Sequence, residues 1–359
     1  MNTKVNKIAV FLPTVDIGGA ERMIATLVSN FNDKNVKIRL YIIGQFKENQ
    51  ITEQLIAAGV DCVYFGKTKG FSLKILKVIE KALNEYQPDV IHTNMSSLYY
   101  CLRWARKNKV NIIHTIHTSV KRKKGFINET LIKYAYKKSY VVPVAISDYI
   151  YGELNECYKF KTLNPELIYN PVDLSKFSQK KEKKVYDFVN VGRFHPVKNH
   201  ELLIKAFKLV CEKHPEAKLA LAGEGERKPA TETLVKELGL ENNVEFLGNV
   251  NDICGLLNKS KIYVLSSNVE GFPITLLEAM ACKLPVITTN FGGAEGIVKE
   301  NGILVNINDV DELAREMIGL LENEQKRNRL VENVENNIEQ YSIKNIVEKY
   351  KQLYLKYSK

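Results

Sequence analysis

The stretch IYVLSSNVEGFPITLLEAMACKLPVITTN, residues 262–290, contains the two patterns from which we predict the fold. Its ends, IYVLSS and PVITTN, are apolar runs of the kind found in buried strands. Between them, a turn at Gly271 and Pro273 leads into a helical pattern that starts near Thr275. Strand, helix and strand in this order are typical of an α/β fold, in which helices cover both faces of a parallel sheet.

The same alternation extends along the chain in both directions. The strand patterns are KIAVFLP, VKIRLYIIG, DVIHTNM, NIIHTIHT, YVVPVAIS, VYDFVNVG, AKLALAGEG, NVEFLG, IYVLSS, PVITTN and GILVN. At ~100 to 200 residues per domain, the length of the chain predicts two domains. A turn at Asn170-Pro171, followed by a charged link that ends at Lys184, indicates the boundary. We predict two doubly wound, Rossmann-like parallel-sheet domains, residues 1–170 and residues 171–341.

The composition is that of a soluble globular protein, with 45% hydrophobic and 26% charged residues. The first apolar run could be mistaken for a signal peptide, but Pro13 and Asp16 interrupt it, so we predict a buried strand instead. The apolar runs fall short of the ~20 residues that span a bilayer, which argues against a transmembrane protein. Six cysteines lie far apart without a C-x-x-C spacing, which indicates reduced core thiols in a cytosolic protein.

Positive charge is concentrated in the first half of the chain. Residues 1–170 contain 25 Lys and Arg against 14 Asp and Glu, which accounts for the whole net charge of +11. A helical pattern there combines Lys67, Lys69, Lys74, Lys77 and Lys81 with Leu73, Leu76, Ile79 and Leu83, and a basic run, KRKKGF, begins at Lys121. Two interpretations stay open, a solvated helix with a basic loop or a patch for an anionic surface. Because no RNA-binding strand or DNA recognition helix accompanies the charge, we expect a membrane surface as partner and no nucleic acid.

The loops after the strands are the candidate sites, because ligands of doubly wound sheets bind beyond the carboxyl ends of the strands. After the first strand, Gly18 and Gly19 precede a helix, which permits close approach of a ligand but fits a plain tight turn nearly as well. After VYDFVNV, Arg193 and Lys198 flank the start of a helix that Asn199 is placed to cap. Two cations at a helix start are suited to binding a diphosphate.

Three other motifs indicate structure rather than chemistry. GEGER, with Gly223 and Gly225, has no third glycine and indicates a turn after a buried strand. His114 and His117 lie three apart in a strand pattern, so they face opposite sides; we expect one core histidine, with His117 at the strand end facing a ligand cleft. DVD, residues 309–311, is better explained as acidic residues at a helix start than as a metal-binding D-x-D. We predict no metal site.

Two carboxylates bracket the strand-to-helix turn of the opening stretch. Thr275 and Glu278 form T-x-x-E, which predicts a capping box at the helix start. Glu270 follows the apolar strand IYVLSS, where a carboxylate costs free energy unless it is solvated or bonded to a polar group. Sugar hydroxyls supply such bonds, and a helix start near Thr275 points amide N–H groups at an anion. These features together indicate a site for a sugar attached to a phosphate.

Taken together, these motifs resemble those of the family-4 glycosyltransferases, which are retaining enzymes of the two-domain GT-B architecture. EGFPITLLEAMA is similar to the E-x7-E signature of that family, and GGAER, NPVD, VGR with Lys198 and Asn199, GEGE and FLG match its other motifs in order. The resemblance covers residues 18 to about 300. It implies two Rossmann-like domains facing a cleft, an N-terminal one for the acceptor and a C-terminal one for the nucleotide sugar. The last segment, about 342–359, resembles a helix that packs back on the N-terminal domain.

The resemblance also implies a role for each matching residue. Lys198 and Arg193 would hold the diphosphate, Glu270 would lie against the donor sugar, and His117 would stand beside it; we take these four as catalytic. The spacer HPVKN is longer than in many members, which favours Lys198 over His195. Glu278 would bind the ribose, and Gly19 would let the acceptor side of the cleft close. The full donor-binding set implied is Gly19, Arg193, Lys198, Gly223, Glu270, Gly271, Phe272, Thr275, Leu276 and Glu278.

The function implied is metal-independent transfer of a hexose or N-acetylhexosamine from a nucleotide sugar, a UDP-sugar first, to a sugar or lipid-linked oligosaccharide. No cofactor is expected beyond that substrate. We expect a cytoplasmic protein, peripheral on the inner face of the cell membrane, in bacterial surface-polysaccharide or glycan assembly. One alternative is a nucleotide-sugar epimerase of the same architecture, against which the E-x7-E pattern counts. Another is a binding module without turnover, against which Glu270, Lys198 and His117 count.

Overall fold

A computed structural model of the chain describes residues 6–16, 18–68, 70, 72–121, 126–137, 140–158, 160, 164–332 and 334–359. The chain divides into two compact units. Unit 1 comprises Met1–Pro171 together with Ile343–Lys359, and unit 2 comprises Val172–Ser342. The chain therefore leaves unit 1 after Pro171 and returns to it with its last helix.

Unit 1 alternates strands with helices. Its strands are β1 (Asn6–Leu12), β2 (Val36–Ile42), β3 (Asp61–Tyr64), β4 (Val90–Asn94), β5 (Asn111–Ile116), β6 (Val141–Ala145) and β7 (Glu166–Leu167). The helices between them are α1 (Gly19–Ser29), α2 (Gln50–Ala57), α3 (Leu73–Tyr86), α4 (Leu98–Asn108), α5 (Phe126–Lys137) and α6 (Asp148–Cys157). The strands pair in parallel in the order β3-β2-β1-β4-β5-β6-β7. β4 and β6 are buried along their whole length, as expected for a sheet with helices on both faces.

Unit 2 repeats the same architecture. Its strands are β8 (Tyr186–Val191), β9 (Leu219–Ala222), β10 (Val244–Gly248), β11 (Ser260–Leu265), β12 (Val286–Thr289) and β13 (Gly302–Val305). Its helices are α7 (His200–Lys213), α8 (Lys228–Glu237), α9 (Ile253–Asn258), α10 (Ile274–Ala281), α11 (Ala294–Val298), α12 (Val310–Glu322), α13 (Glu324–Glu332) and α14 (Val334–Ile338). The parallel strand order is β10-β9-β8-β11-β12-β13. The core between this sheet and its helices includes Phe188, Phe207, Leu221 and Met317, all fully buried.

The strand order reverses once in each unit. In unit 1 the chain moves outward from β1 through β2 and β3 and then continues on the other side of β1 with β4. In unit 2 it moves outward from β8 through β9 and β10 and continues on the other side of β8 with β11. Parallel sheets with this order bind ligands where the order reverses, because the loops leaving the two central strands separate there. The predicted fold class, an α/β architecture of two doubly wound Rossmann-like sheets, is confirmed.

The C-terminal helix α15 (Ile343–Tyr357) completes unit 1 through buried polar contacts. The hydroxyl of Tyr354 lies 2.8 Å from Nδ1 of His92. Nε2 of His92 lies 2.8 Å from the Thr115 hydroxyl, which lies 3.0 Å from that of Tyr350. Burial lowers the pKa of His92 to about 3, so the ring is neutral. Because every member of this chain of hydrogen bonds has a partner, it fixes one docking position for the helix.

The sequence prediction missed two strands and misplaced one cysteine. β3 and β7 were not predicted, because β3 is a half-exposed edge strand and β7 has two residues only. All six cysteines are free thiols, but Cys157 is exposed at the end of α6, so the prediction of a core position is wrong for it. Among the residues described above, none of the helices is both long and apolar enough to cross a membrane.

Candidate functional site

Lys198 ends a 3₁₀ turn, Pro196–Lys198, that connects β8 to α7. The hydroxyl of Ser266 donates a hydrogen bond of 3.0 Å to the Lys198 carbonyl oxygen. The amide of Asn268 donates one of 2.8 Å to the carbonyl oxygen of Val197. These bonds tie the loop after β8 to the loop after β11, at the point where the strand order of unit 2 reverses.

Asn199 caps α7, as predicted, and its side chain also bonds two other loops. Its side-chain oxygen accepts a hydrogen bond of 3.3 Å from the amide of Leu202, in the first turn of α7. Its Nδ2 donates to the side-chain oxygens of Asn268 and Asn308, each at 2.9 Å. One side chain thus links the start of α7 to the loops after β11 and β13.

An ion pair joins the loops after β8 and β11. Nζ of Lys198 lies 2.5 Å from Oε1 of Glu270, and the two side chains are 19% and 15% exposed. The hydroxyl of Ser267 donates to the same Oε1 at 2.7 Å. These two donors stabilise the carboxylate at a strand end, where it would otherwise cost free energy. Oε2 of Glu270 has no hydrogen bond within the described part of the chain, so it is available to accept one from a ligand.

The predicted capping box at Thr275 is wrong. α10 begins at Ile274 with Pro273 as its N-cap, and no side chain caps it. Thr275 lies inside the first turn, where its hydroxyl oxygen accepts a hydrogen bond of 2.9 Å from the hydroxyl of Tyr263. Because no side chain takes the first-turn amides of Ile274 and Thr275, they are available to an anion.

Four of the predicted donor-binding residues are buried in unit 2. Gly271 and Phe272 are buried, and the Phe272 ring packs against that of Tyr341 with 5.5 Å between centroids. Leu276 is fully buried, so its side chain fills the core and it can offer a ligand only its backbone. Glu278, on the same helix, is 1% exposed, a rare position for a carboxylate.

Arg193 lies in the loop after β8, and Gly223, which follows β9, packs against the start of that loop. Arg193 is exposed and makes no ion pair with any described residue, so its guanidinium is free to bind an anion. Gly223 follows β9 with a φ of +140°, and a Cβ atom on it would lie 2.1 Å from the carbonyl oxygen of Gly192. Glycine is therefore required there by packing alone. The turn predicted after β9 is confirmed, and a contact of Gly223 with a ligand stays a prediction.

In unit 1, His117 directly follows β5 and is oriented by Asn94. Nδ2 of Asn94 donates to the carbonyl oxygen of Phe11 at 3.1 Å, which leaves its Oδ1 as the acceptor for Nε2 of His117 at 2.9 Å. Nε2 therefore carries the proton. Burial lowers the pKa of His117 to about 4, so the ring is neutral near pH 7. Nδ1 is buried, has no partner in the residues described, and is left as a hydrogen-bond acceptor.

The remaining predicted positions fall as follows. His114 is buried inside β5 with Nδ1 3.0 Å from the hydroxyl of Thr93, which confirms it as the core histidine. Gly19 is the first residue of α1, and a Cβ atom there would meet nothing within 4 Å, so packing does not require glycine at this position. Asp309 caps α12 by accepting a hydrogen bond of 2.8 Å from the amide of Glu312, as predicted for DVD.

Two family models match the chain and together span nearly all of it. The model described as Glycosyltransferase Family 4 matches residues 17–176. The model described as Glycosyl transferases group 1 matches residues 172–337. The chain belongs to the family-4 glycosyltransferases. Each match coincides with one of the two Rossmann-like units of this glycosyltransferase.

Relatives of this glycosyltransferase include enzymes named for lipid-linked substrates. The GalNAc-alpha-(1->4)-GalNAc-alpha-(1->3)-diNAcBac-PP-undecaprenol alpha-1,4-N-acetyl-D-galactosaminyltransferase of Campylobacter jejuni is 27% identical over 361 residues, covering 97% of this chain and 98% of its own. The UDP-Gal:alpha-D-GlcNAc-diphosphoundecaprenol alpha-1,3-galactosyltransferase of Escherichia coli is 28% identical over 314 residues, 79% of each chain. Among solved structures, HepE of Anabaena in complex with UDP and glucose has a TM-score of 0.84 and 19% identity, covering 97% of this chain and 99% of that one.

Three residues of the glycosyltransferase that were not predicted from the sequence hold its predicted site residues or the loop next to one. Ser267 donates to Glu270, and Asn94 sets the proton position on His117. Glu153 of α6, 3% exposed, accepts hydrogen bonds of 2.7 Å from the hydroxyl of Ser119 and 2.8 Å from the amide of Val120, and so fixes the loop that follows His117. Ser267 and Asn94 stand at strand ends, which was the available signal; Glu153 lies mid-helix and gave none.

Proposed function

We propose that this glycosyltransferase moves a hexose or N-acetylhexosamine from a nucleotide sugar, a UDP-sugar first, to a sugar or lipid-linked oligosaccharide, with retention of configuration and without a metal. The ion pair of Lys198 and Glu270 at the reversal point of the unit 2 sheet carries the proposal. The pair holds a cation and a carboxylate in the loop that leads from Glu270 to the uncapped start of α10 at Ile274. A diphosphate is suited to the cation and the helix start, and sugar hydroxyls are suited to the carboxylate.

The enzyme must stabilise the negative charge that develops on the leaving diphosphate. When the anomeric carbon–oxygen bond breaks, the bonding electrons remain on the diphosphate. Lys198, held by Glu270, and the first-turn amides of α10 are positioned by the fold before the substrate binds, and the exposed guanidinium of Arg193 is free to join them. Each such preorganised group contributes about 2 to 4 kcal/mol to transition-state stabilisation. With these groups in place, a metal ion is not needed to neutralise the diphosphate.

For a retaining transfer, the state of Glu270 disfavours the double-displacement route. A double-displacement mechanism needs a carboxylate that attacks the anomeric carbon. Oε1 of Glu270 already accepts hydrogen bonds from Lys198 and Ser267, which lowers its nucleophilicity. We therefore propose that the acceptor hydroxyl attacks from the side of the departing diphosphate, which takes up the hydroxyl proton as the new glycosidic bond forms.

The test is a panel of UDP-, GDP- and ADP-sugars with the purified protein. We expect slow nucleotide release from one UDP-sugar, and the same rate with EDTA, because Lys198 and Arg193 supply the positive charge. The measurement is free nucleotide over time. A rate abolished by EDTA and restored by Mg²⁺ or Mn²⁺ would contradict metal independence, and failure of every nucleotide to bind would contradict the donor site.

The lipid-linked acceptor is supported by the two relatives named for undecaprenol-diphosphate sugars. We also propose that α3 brings the enzyme to an anionic membrane surface. The structure divides this helix into two faces. Ile79, Leu83 and Tyr86 are buried in unit 1, whereas Leu73 and Val78 are 68% and 50% exposed.

Cations surround the exposed apolar residues of α3. Lys74 and Lys77 lie on the same helix, are exposed, and make no ion pair within the described chain. Exposed apolar side chains flanked by lysines are typical of helices that lie on anionic lipid. Of the other cations expected to take part, Lys121 is paired with Glu156 at 2.6 Å, and Lys69 and the run 122–124 lie outside the described residues.

Vesicle binding tests this surface. The double variant Lys74→Ala/Lys77→Ala should bind vesicles of mixed anionic and neutral lipid at least about tenfold more weakly, since each lysine near such a surface contributes about 1 kcal/mol. The matched control is Lys34→Ala/Lys37→Ala, two exposed lysines at the start of β2. Leu73→Ser should weaken binding and Ile56→Ser, at an equally exposed position on α2, should not. Sedimentation with vesicles measures both pairs. Equal losses in variant and control would show that net charge, and not this helix, drives binding.

A further inference from the structure

A cavity of about 480 Å³ opens at the reversal point of the unit 1 sheet. Thr14, two residues after β1, and Ser96, two residues after β4, both line it. The loops that follow the neighbouring strands contribute Gly44 and Lys67. In unit 2, the corresponding place between β8 and β11 holds the proposed diphosphate site. The two units therefore each carry a candidate site at the position where doubly wound sheets bind ligands.

The lining of this cavity carries a positive charge. Lys67 is the single charged side chain among the described residues that line it. The backbone of Lys67 is fixed by a hydrogen bond of 3.0 Å from its amide to the carbonyl oxygen of Ile43. Its side chain is half-buried and makes no ion pair or hydrogen bond with any residue that the structure describes. Two carboxylates lie near Thr14, and both are engaged: Asp16 is paired with Lys47, and Oε1 of Glu21 accepts a hydrogen bond of 3.2 Å from the Thr14 hydroxyl.

Hydroxyl groups complete the lining. The hydroxyls of Thr68 and Ser96 are exposed and make no hydrogen bond within the described residues. Ser96 follows Met95, a residue with a φ of +50° that a side chain adopts at a cost. The turn is held by Ser97, whose hydroxyl oxygen accepts a hydrogen bond of 2.9 Å from the amide of Asn94. This turn places Ser96 at the cavity.

We propose that this cavity binds the phosphoryl group of the acceptor, a monophosphate or diphosphate, with Lys67 as its counter-charge. The proposal rests on the proposed function, which requires an acceptor. An unpaired ammonium with several hydroxyl donors is suited to an anion that has many acceptor oxygens, and a phosphoryl group has more of them than a carboxylate. Exposed Phe46 and Leu73 lie two and three residues from the lining Gly44 and Gly70, which suits an acceptor whose phosphate is attached to an apolar chain.

Calorimetry with two phosphate probes tests the proposal. Inorganic pyrophosphate and farnesyl diphosphate in non-ionic detergent are titrated into the enzyme in saturating UDP, which keeps them from the proposed donor site. We expect both to bind, and Lys67→Ala to weaken both by at least about tenfold. The control, Lys34→Ala, removes the same charge before the amino end of β2, whereas the cavity lies beyond the carboxyl ends of the strands, and it should change affinity by less than about twofold. Circular dichroism and UDP binding verify that Lys67→Ala is folded.

The outcomes distinguish a lipid-linked phosphate from a soluble one. They also distinguish failure of this inference from failure of the proposed donor site. If Lys67-dependent binding is tighter for farnesyl diphosphate than for pyrophosphate, the cavity is assigned to a lipid-linked phosphate. If the two probes bind with equal affinity, it is assigned to a soluble sugar phosphate. The inference is overturned if neither probe binds, if Lys67→Ala retains wild-type affinity for both, or if succinate binds as tightly as pyrophosphate. Failure of the wild type to bind UDP would contradict the proposed donor site, while Lys67-dependent pyrophosphate binding would still support this cavity.

Discussion

Replacing Lys198 by alanine should lower sugar transfer by at least about 100-fold, because a preorganised donor to a developing oxyanion contributes that much to the rate. The variant also leaves Glu270, 15% exposed, without its cation. Glu270→Ala should lower turnover to a similar extent, since it removes the acceptor for sugar hydroxyls and the partner that orients Lys198. The measurement is kcat for nucleotide release from the donor identified in the sugar panel.

Lys205→Ala is the matched control for this prediction. Lys205 pairs with Glu201 at 2.6 Å on α7, close in sequence to Lys198, but the two side chains are 47% and 66% exposed. An exposed pair of this kind contributes little to stability, so the variant should keep wild-type turnover. Near-normal rates in both Lys198→Ala and Glu270→Ala would show that the ion pair is structural and that the diphosphate binds elsewhere.

The second large effect is on stability, in Gly223→Ala. The new Cβ atom would lie 2.1 Å from the carbonyl oxygen of Gly192, which is backbone and cannot rotate away. A side chain at a φ of +140° adds backbone strain. We expect the free energy of unfolding to fall by about 3 kcal/mol or more, and Tm by at least about 6 °C. UDP binding should weaken as well, because the displaced strand end carries Arg193.

Gly239→Ala separates the two causes of that loss. Gly239 also has a positive φ, +66°, but a Cβ atom on it would meet nothing within 4 Å. Alanine there should cost about 1 kcal/mol, the penalty of the left-handed conformation alone. Thermal unfolding followed by circular dichroism compares the two variants. Equal shifts in Tm would show that the contact with Gly192 adds nothing to the backbone penalty.

Most of the fold could be predicted from sequence because a strand buried on both faces must be apolar throughout. Strands such as β4, β6 and β11 therefore stand out, and every predicted strand forms. β3 gives a weaker signal, since an edge strand that is half-exposed has no need of a continuous apolar run. The pairing order across each sheet is set by long-range contacts, which a local pattern does not contain.

The site was less predictable, because its geometry depends on contacts between distant loops. Glu270 and Lys198 could be identified from their places after strands, but their direct pairing could not, since 72 residues separate them. T-x-x-E at Thr275 predicted a cap on local grounds, yet Pro273 starts the helix earlier and Tyr263 bonds the threonine. Likewise α3 has one lysine-rich pattern, and only packing decides that Ile79 and Leu83 are buried while Leu73 is not.

The return of α15 to unit 1 reverses the order in which the two units can be completed during synthesis. Unit 2 is continuous in sequence, so all of its residues are synthesised before Ile343 is made. Until then His92 and Thr115 lack Tyr354 and Tyr350, and buried polar groups without partners disfavour the native packing. The unit that begins the chain is therefore the last to reach its final structure, and a transcript that ends just before α15 yields a finished unit 2 attached to an unfinished unit 1.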